Sequence, residues 1–244
     1  MFECVKASLR RYQFYRAARF AYHLATDPVF RHDQWLRLRR PGEVFQYRSI
    51  TVDDRYPAIF EFVRGRLKER TGVRLLSFGC ASGEEVFALR ARFPKASIKG
   101  IDLNPHNIAV CQKQLARRGG DPAVEFMVGG SAESETAASY DAVFSLAVFQ
   151  RPELKESPAV ATSAPRLLFA SFDRVVSGLA AAVKPGGFLV IRHSMFRFGD
   201  TDAARNFQAV LRLPSPAGFF PRFDAGDRRL PDENDEGVVF QKLR

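Results

Sequence analysis

The sequence predicts an α/β protein with a doubly wound, mostly parallel sheet and an N-terminal helical extension. From residue 73 onward, short apolar segments alternate with segments of helical periodicity, the pattern of a parallel sheet with helices on both faces. A glycine-rich loop follows the first apolar segment, whereas residues 1–70 show helical periodicity only. We therefore divide the chain into a helical segment, 1–70, and an α/β domain, 71–244.

Three helices are predicted in the first 70 residues. The first carries an apolar face from Val5 to Leu24, and Asp27-Pro28 opens a second helix that ends at Pro41-Gly42. Pro57–Glu69 carries a third apolar stripe. We expect these helices to cover the ligand cleft of the α/β domain.

In the α/β domain, predicted strands and helices alternate. The strands are Val73–Phe78, Ser97–Ile101, Val124–Val128, Tyr140–Leu146 and Phe188–Arg192, and the helices are Glu84–Phe93, Pro105–Arg118 and Leu167–Val183. Gly237–Leu243 is expected to close the sheet, with Phe219–Phe223 as a second candidate strand before it. Glu153–Pro165, rich in Pro, Ser and Ala, is expected to be a mobile loop. Ligands of such sheets bind beyond the carboxyl ends of the strands, so the residues that follow each strand are the candidates for function.

Composition and cysteine content favour a soluble cytoplasmic protein. Hydrophobic residues make up 46% of the 244, and no apolar run approaches the roughly 18 residues of a membrane span. The cysteines Cys4, Cys80 and Cys111 are odd in number and scattered, which suits a reducing compartment. The four His and three Cys form no cluster with metal-ligand spacing, so we predict no metal site.

The chain is basic, with 37 Lys and Arg against 27 Asp and Glu and a net charge of +10. A basic balance is compatible with a nucleic acid, an acidic membrane face or an anionic substrate. Because the excess is spread along the chain without a basic run, a solvated basic surface is favoured, and a nucleic-acid partner is possible but not favoured.

The segment with the clearest chemistry is the loop Phe78–Gly83 between the first strand and the first helix of the α/β domain. Its glycines, Gly79 and Gly83, allow tight turns and close approach of the backbone to a ligand. Asp102 ends the next strand, where an acid can hydrogen-bond both hydroxyls of a ribose. The alternative for Asp102 is that it caps the helix that begins at Pro105.

Together these segments resemble the class I S-adenosylmethionine (SAM) dependent methyltransferases over about residues 73–192. The loop resembles that family's first motif, Tyr140–Ser145 its fourth-strand motif, and Lys184–Gly187 the turn before its fifth strand. The resemblance implies SAM as cofactor, S-adenosyl-L-homocysteine (SAH) as product and Asp102 as the ribose-binding acid. It further implies cofactor contacts from Phe78, Gly79, Cys80, Ala81, Gly83, Leu103, Ser131, Ala132, Ser145 and Leu146.

One position departs from the family's first motif. The acid that usually stands two residues before the first glycine is replaced by Ser77, and Ala81–Glu85 instead resembles the chemotaxis-receptor (CheR-type) glutamate methyltransferases. That resemblance implies that Glu84, or else Glu85, pairs with the cofactor ammonium. The triplet Thr51, Arg55 and Phe60 matches the same subgroup and implies that Arg55 binds the cofactor carboxylate. The subgroup's Arg-Asn pair after the fourth strand and its receptor-docking insertion are missing, so a different substrate is expected.

His193 follows the fifth strand and is the candidate catalytic base, since imidazole accepts a proton near neutral pH. The alternative is a partly buried histidine bonded to backbone, because many methyl transfers need only proximity and in-line geometry. Tyr47, Arg48 and Tyr56 flank Arg55 and are candidates to close over the cofactor.

The predicted function is transfer of a methyl group from SAM to an O, N or carboxylate acceptor, most simply on a small molecule. Protein carboxylate and RNA are the alternative acceptors. Two other classes stay open: a non-catalytic SAM-binding protein, favoured by Ser77, and an NAD(P)-dependent oxidoreductase. The latter would need the spacing Gly-x-Gly-x-x-Gly, which Gly79–Gly83 does not have.

Overall fold

The computed structural model describes residues 2–39, 45–46, 54–155, 160–215, 221–231 and 235–243. The chain divides into two compact units, Met1–Pro41 and Gly42–Arg244. None of the helices in these ranges combines the length and the apolar composition that a membrane crossing requires.

The smaller unit is a pair of helices, α1 (Phe2–Thr26) and α2 (Pro28–Arg39). Asp27 separates them and caps α2, because its carboxylate accepts a hydrogen bond from Phe30 N at 3.1 Å. Phe20 and Phe30 pack edge to face with ring centroids 5.3 Å apart. The predicted break at Asp27-Pro28 is therefore present, and the predicted role of this segment as a cover stays a prediction.

The larger unit contains one sheet with helices on both faces. Its helices are α3 (Pro57–Leu67), α4 (Glu84–Arg92), α5 (Pro105–Arg117), α6 (Pro152–Lys155) and α7 (Phe169–Ala182). Its strands are β1 (Arg74–Phe78), β2 (Ser97–Asp102), β3 (Val124–Val128), β4 (Tyr140–Leu146), β5 (Val183–Arg192), β6 (Phe207–Pro214) and β7 (Asp235–Lys242).

The seven strands have the order β3-β2-β1-β4-β5-β7-β6. The pairs from β3 to β5 are parallel, while β7 runs antiparallel between β5 and β6. The predicted fold class, a mostly parallel doubly wound sheet, is confirmed. The inserted antiparallel β7 distinguishes this order from the 3-2-1-4-5-6 arrangement of dinucleotide-binding sheets.

Alternate residues of the central strands bury their side chains in two cores. Phe144 of β4 packs on the side of α3, α4 and α5, whereas its neighbour Val143 packs with α7. Because both faces are covered, the central strands carry apolar residues on both sides, with polar exceptions such as Ser77, Lys99 and Asp141. The sequence located β1 to β4 within a residue or two.

Three predictions about the second half of the α/β domain need correction. The strand before the last is Phe207–Pro214 and not Phe219–Phe223; the described part of the latter, 221–223, has only isolated bridges at Phe223. The turn at 184–187 lies inside β5, with an irregular register against Tyr140 and Ala142. Within Glu153–Pro165 the described residues are ordered: α6 begins the segment and buried Ser163 bonds Asp227 O at 2.9 Å.

Candidate functional site

The glycine loop is fixed to the carboxyl end of β2 by its own backbone. Gly79 N and Cys80 N both donate to Ile101 O, at 2.7 and 3.1 Å, and Ala81 N donates to Asp102 Oδ2 at 2.9 Å. Gly79, Ala81 and Gly83 all have positive φ, of 75°, 47° and 98°. Such backbone angles favour glycine, and glycine occupies two of the three positions.

Gly79 also lies under a close neighbour. A Cβ at this position would lie 2.4 Å from Cγ2 of Val148, which follows the end of β4. The turns after β1 and β4 thus approach each other so closely that only a glycine fits. A glycine-containing loop at the carboxyl edge of a parallel sheet is the arrangement expected of a cofactor loop.

Asp102 is held by three donors at the loop's edge. Besides Ala81 N, its carboxylate accepts hydrogen bonds from Asn104 N and Asn107 Nδ2, both at 2.9 Å. Burial raises the pKa of Asp102, and these three bonds oppose the rise. A carboxylate has about four acceptor positions, so capacity remains for a ligand hydroxyl. The cap of α5 is Asn104, whose side chain accepts from His106 N at 2.9 Å, so Asp102 is not the N-cap.

Ser77 and the following helix bring a carboxylate close to the loop. Ser77 Oγ donates to Glu85 Oε1 at 2.7 Å, whereas Glu84 accepts from Ser82 Oγ at 2.8 Å. Burial raises the pKa of Glu85 to about 7, against the opposing bond from Ser77. Glu85 therefore lies beside Ser77, the residue that stands where the family usually has an acid.

One cysteine belongs to the loop, and a second lies against it. Cys80 and Cys111 are both buried and unoxidised, and Cys111 Sγ donates to Ala81 O at 3.2 Å. A hydrogen bond with Cys111 and burial raise the pKa of Cys80 well above its usual value. A thiol of this kind is a packing residue and not a nucleophile.

The residues after β3 and β4 complete the edge. Gly129 N donates to Asp102 O at 2.9 Å, so the turn that carries Ser131 and buried Ala132 lies next to β2. Ser145 and Leu146 at the end of β4 are buried, and Ser145 Oγ has no hydrogen-bond partner among the described residues. A buried polar atom of this kind is available to a ligand.

His193 and Ala147 follow the ends of β5 and β4, which lie side by side. Both have positive φ, 55° and 60°, and Ala147 N donates to Arg192 O at 2.8 Å. Left-handed conformations of residues other than glycine cost of order 1–3 kcal/mol and concentrate at functional sites. The sequence indicated His193 but gave no sign of this strained pair.

The side chain of His193 is paired with Tyr56. The Tyr56 hydroxyl lies 3.0 Å from His193 Nδ1. Burial, together with the nearby cations Arg192, Arg55, Lys155 and Arg222, lowers the pKa of His193 to about 4. Burial raises the pKa of Tyr56 to about 12. At neutral pH both groups are uncharged, so the imidazole is in the form that can accept a proton.

Arg55 is exposed and lies over the ring of Tyr56, with its Cζ 5.3 Å from the centroid. Phe60 is buried against Phe144 in the core, with ring centroids 5.7 Å apart. Thr51, Tyr47 and Arg48 lie outside the described residues. The structure thus brings Arg55, Tyr56 and His193 together.

Residues 76–189 match the family model described as a methyltransferase domain. This part of the chain is a methyltransferase domain. It runs from β1 into β5 and includes the glycine loop, Asp102 and Ser131, whereas Arg55 and His193 lie outside it. The predicted recognition and fold are confirmed at this level; the likeness to the CheR-type subgroup stays a prediction.

Solved structures to which this chain is similar include three of low identity. One is SAM-bound CalS10, an amino pentose methyltransferase from Micromonospora echinaspora (22% identity, TM-score 0.40, 55% of this chain and 48% of that chain covered). A second is geranyl diphosphate C-methyltransferase from Streptomyces coelicolor with SAH (17%, 0.39, 55% and 44%). A third is the YcgJ protein from Bacillus subtilis (12%, 0.48, 78% and 99%). The chain thus spans about half the length of the first two.

Proposed function

We propose that this protein transfers a methyl group from SAM to an O, N or carboxylate group of a small molecule. The observation that carries the proposal is the glycine loop bonded to Ile101 and Asp102 within the methyltransferase domain. When bound, SAM supplies an electrophilic methyl group. A cytoplasmic location accompanies the proposal.

The cofactor's binding groups are assigned to residues at the edge of the sheet. Asp102 accepts hydrogen bonds from the ribose hydroxyls, and the backbone of Gly79–Gly83 lies against the methionine part. Ser131 and Ala132, with Leu103, border the adenine, while Ser145 and Leu146 line the floor of the cleft. The backbone bonds from the glycine loop to Ile101 and Asp102, and a buried hydroxyl without a described partner, support this assignment.

The charged ends of the methionine part are assigned to Arg55 and to an acid of α4. Arg55 pairs with the carboxylate, for which a guanidinium is suited. Glu84 is the acid that the sequence favours for the ammonium, because it is nearer the loop. Glu85 is a second candidate, since it lies at Ser77, where the family's acid would stand. An ammonium in a closed cleft needs such a partner.

His193 is assigned as the base that receives the acceptor's proton, and Tyr56 as the residue that positions its ring. The position of His193 at the end of β5 supports this role; its imidazole is unprotonated at neutral pH, and its pKa of about 4 makes it a weak base. Closure of the site, for which the N-terminal helices are proposed, excludes water.

The test is binding and turnover with the full chain. SAH should bind by calorimetry, and Asp102→Asn should weaken binding at least about tenfold, because each lost charge-assisted hydrogen bond costs about 1.5–3 kcal/mol. Asp121→Asn is the matched control, since Asp121 also accepts a backbone N–H, from Ala123 at 3.0 Å, but lies at the opposite edge. Binding of NAD(P) in place of SAH would overturn the proposal, and SAH binding without turnover on any acceptor would leave a SAM-binding protein.

A further inference from the structure

A cavity of about 470 Å³ lies between the end of β5, the two short 3-10 helices that follow it (Phe198–Asp200 and Asp202–Asn206) and the β6–β7 pair. This volume falls within the range of about 300–1,000 Å³ found for small-molecule sites. Three small residues on its walls, Ala204, Ala209 and Gly237, leave the space open.

Aromatic rings form the apolar part of the wall. Phe196, Phe198, Phe207 and Phe240 all line the cavity, and Phe198 packs on Phe240 and Phe207 with ring centroids 4.7 and 5.3 Å apart. Rings that are held by one another offer a preformed surface for a flat apolar group.

Guanidinium groups form the polar part of the wall. The lining carries Arg197, Arg205, Arg212 and Arg222, with Glu236 as the one carboxylate among the described lining residues. Arg222 is ion-paired with Glu236, which also lies 2.7 Å from Arg192.

Arg197 and Arg205 have partners of their own outside the lining. They pair with Asp200 and Asp202, at 3.0 and 2.9 Å. Cations still outnumber carboxylates among the described side chains at the cavity, and guanidinium groups bind carboxylates in a bidentate geometry.

One end of the cavity is formed by residues at and just after the end of β5. Ile191 and Ser194 line the cavity on either side of Arg192-His193 in the chain, and Arg222 is close enough to His193 to lower its pKa. This end of the cavity therefore lies at the carboxyl end of β5, which is the end of the strand that His193 follows.

We propose that this cavity binds the methyl acceptor, and that the acceptor is a carboxylic acid built on an aromatic ring or an apolar ring of similar size. The rings of Phe196, Phe198 and Phe240 contact its body, and the guanidinium of Arg212 binds its carboxylate. The inference rests on the proposed function for the word acceptor, while the binding of a ring-bearing acid is measurable without turnover.

The first experiment is calorimetry on the full chain saturated with SAH. The probes are benzoate, 4-hydroxycinnamate and indole-3-acetate, each beside its primary amide. At least one acid should bind at least about tenfold more tightly than its amide, since the amide keeps the ring and loses the charge. Acids and amides that bind alike, or phenyl phosphate binding where every acid fails, would overturn the proposal. Failure of SAH itself to bind would instead count against the proposed function.

The second experiment locates the ligand with matched variants. Gly199 lines the cavity, and a Cβ there meets no atom within 4 Å, so Gly199→Leu adds an apolar side chain at the cavity wall from an unobstructed position. Gly65 in α3 is equally open and exposed, and Gly65→Leu is its control. We expect Gly199→Leu to weaken the acid at least about tenfold with SAH affinity unchanged.

Arg212→Gln tests the charge and keeps the test valid if Gly199→Leu fails to fold. Arg212 is exposed on β6. Its control is Arg64→Gln, an exposed arginine of α3 that pairs with Glu61 at 2.6 Å. Loss of acid binding in Arg212→Gln but not in Arg64→Gln supports the assignment, and equal affinity in both variants removes the cavity from the acceptor site.

Discussion

At the scale of single residues, Ser77 stands where the family usually has an acid, and the neighbouring helix places a carboxylate beside it. Ser77 donates to Glu85, whose carboxylate lies close to the position that the usual acid would occupy. The cost is a buried acid, visible as the rise of the Glu85 pKa to about 7. A cation bound beside it would reverse that rise, so protonation of Glu85 and cofactor binding oppose each other.

This opposition predicts that SAH affinity increases with pH. Below pH 7 Glu85 is mostly protonated in the free protein and must lose its proton to pair with an ammonium, so the Kd should fall about tenfold between pH 6 and pH 8 and level off above. Glu85→Gln should flatten this dependence, and Glu84→Gln should keep it. Calorimetry at four pH values decides between them. A flat wild-type profile would mean that Glu85 does not meet the ammonium, and loss of the slope in Glu84→Gln would give that role to Glu84.

For His193, the lowered pKa predicts a pH profile without a fall near pH 6.5. Burial and nearby cations disfavour the imidazolium, so the neutral base persists down to about pH 4. We expect kcat/KM to stay level from pH 8 to pH 5.5 as far as this group is concerned. His193→Gln should lower kcat about 10²-fold or more and leave the SAH Kd unchanged. Full activity of His193→Gln would mean that the reaction uses no base at this position and that catalysis depends on positioning the substrates.

At the scale of elements, the two edges of the sheet are separated in role. At the amino edge, Asp141 of β4 binds Lys184 Nζ at 2.7 Å and Arg70 NH1 at 2.9 Å. Burial by itself would raise the pKa of Asp141, and the bonds from Lys184, Arg74 N and Arg70 outweigh it and lower the pKa. This cluster closes the bottom of β1, β4 and β5, far along the strands from the glycine loop.

Asp141→Asn should therefore destabilise the fold without changing the site. A cost of about 2 kcal/mol is expected, at the lower end for charged hydrogen bonds because Arg70 and Lys184 are partly exposed. A carboxylate with a lowered pKa stabilises above its unfolded pKa, and this contribution is lost as pH falls through the folded pKa. Urea unfolding at pH 7 and pH 3 measures both. An altered SAH Kd in the folded variant would contradict the separation of the edges.

The elements also show what the sequence could and could not predict. Strands β1 to β4 were predictable because burial on both faces puts apolar residues on both sides of each strand. Strand β6 was missed because its side toward the cavity is exposed at Ala209 and Arg212 and its register shifts twice against β7, so the chain lacks a clean alternation. The denser apolar run at Phe219–Phe223 was the misleading signal.

In the site, residue types were predictable and contacts between elements were not. The glycines and Asp102 stand at fixed places relative to strand ends, so their position followed from the pattern. The bond between Ser77 and Glu85 depends on how α4 packs on β1, and the support of Asp102 by Asn107 depends on the first turn of α5. Neither of these contacts can be predicted from the sequence alone.

At the scale of the whole molecule, the unit Met1–Pro41 is distinct from the α/β unit. If its helices cover the cleft as proposed, their removal should leave the sheet intact and open the site. We expect residues 42–244 to keep the unfolding midpoint of the full chain and to release SAH about tenfold faster, equivalent to ~1.4 kcal/mol. Stopped-flow displacement measures the rate. Unchanged release would assign these helices a role away from the cofactor.

The two buried thiols at the glycine loop can report how often the loop opens. Cys80 and Cys111 are sealed by the same backbone that forms the loop, so an alkylating reagent reaches them only in the fraction of time that the loop is lifted. Peptide mass spectrometry can follow each site separately, and SAH should slow both labelling rates by the factor with which it depletes the open state. Equal rates with and without SAH would show that the loop opens with its ligand still bound. The labelling rates of the two thiols thus measure how often the cofactor site opens.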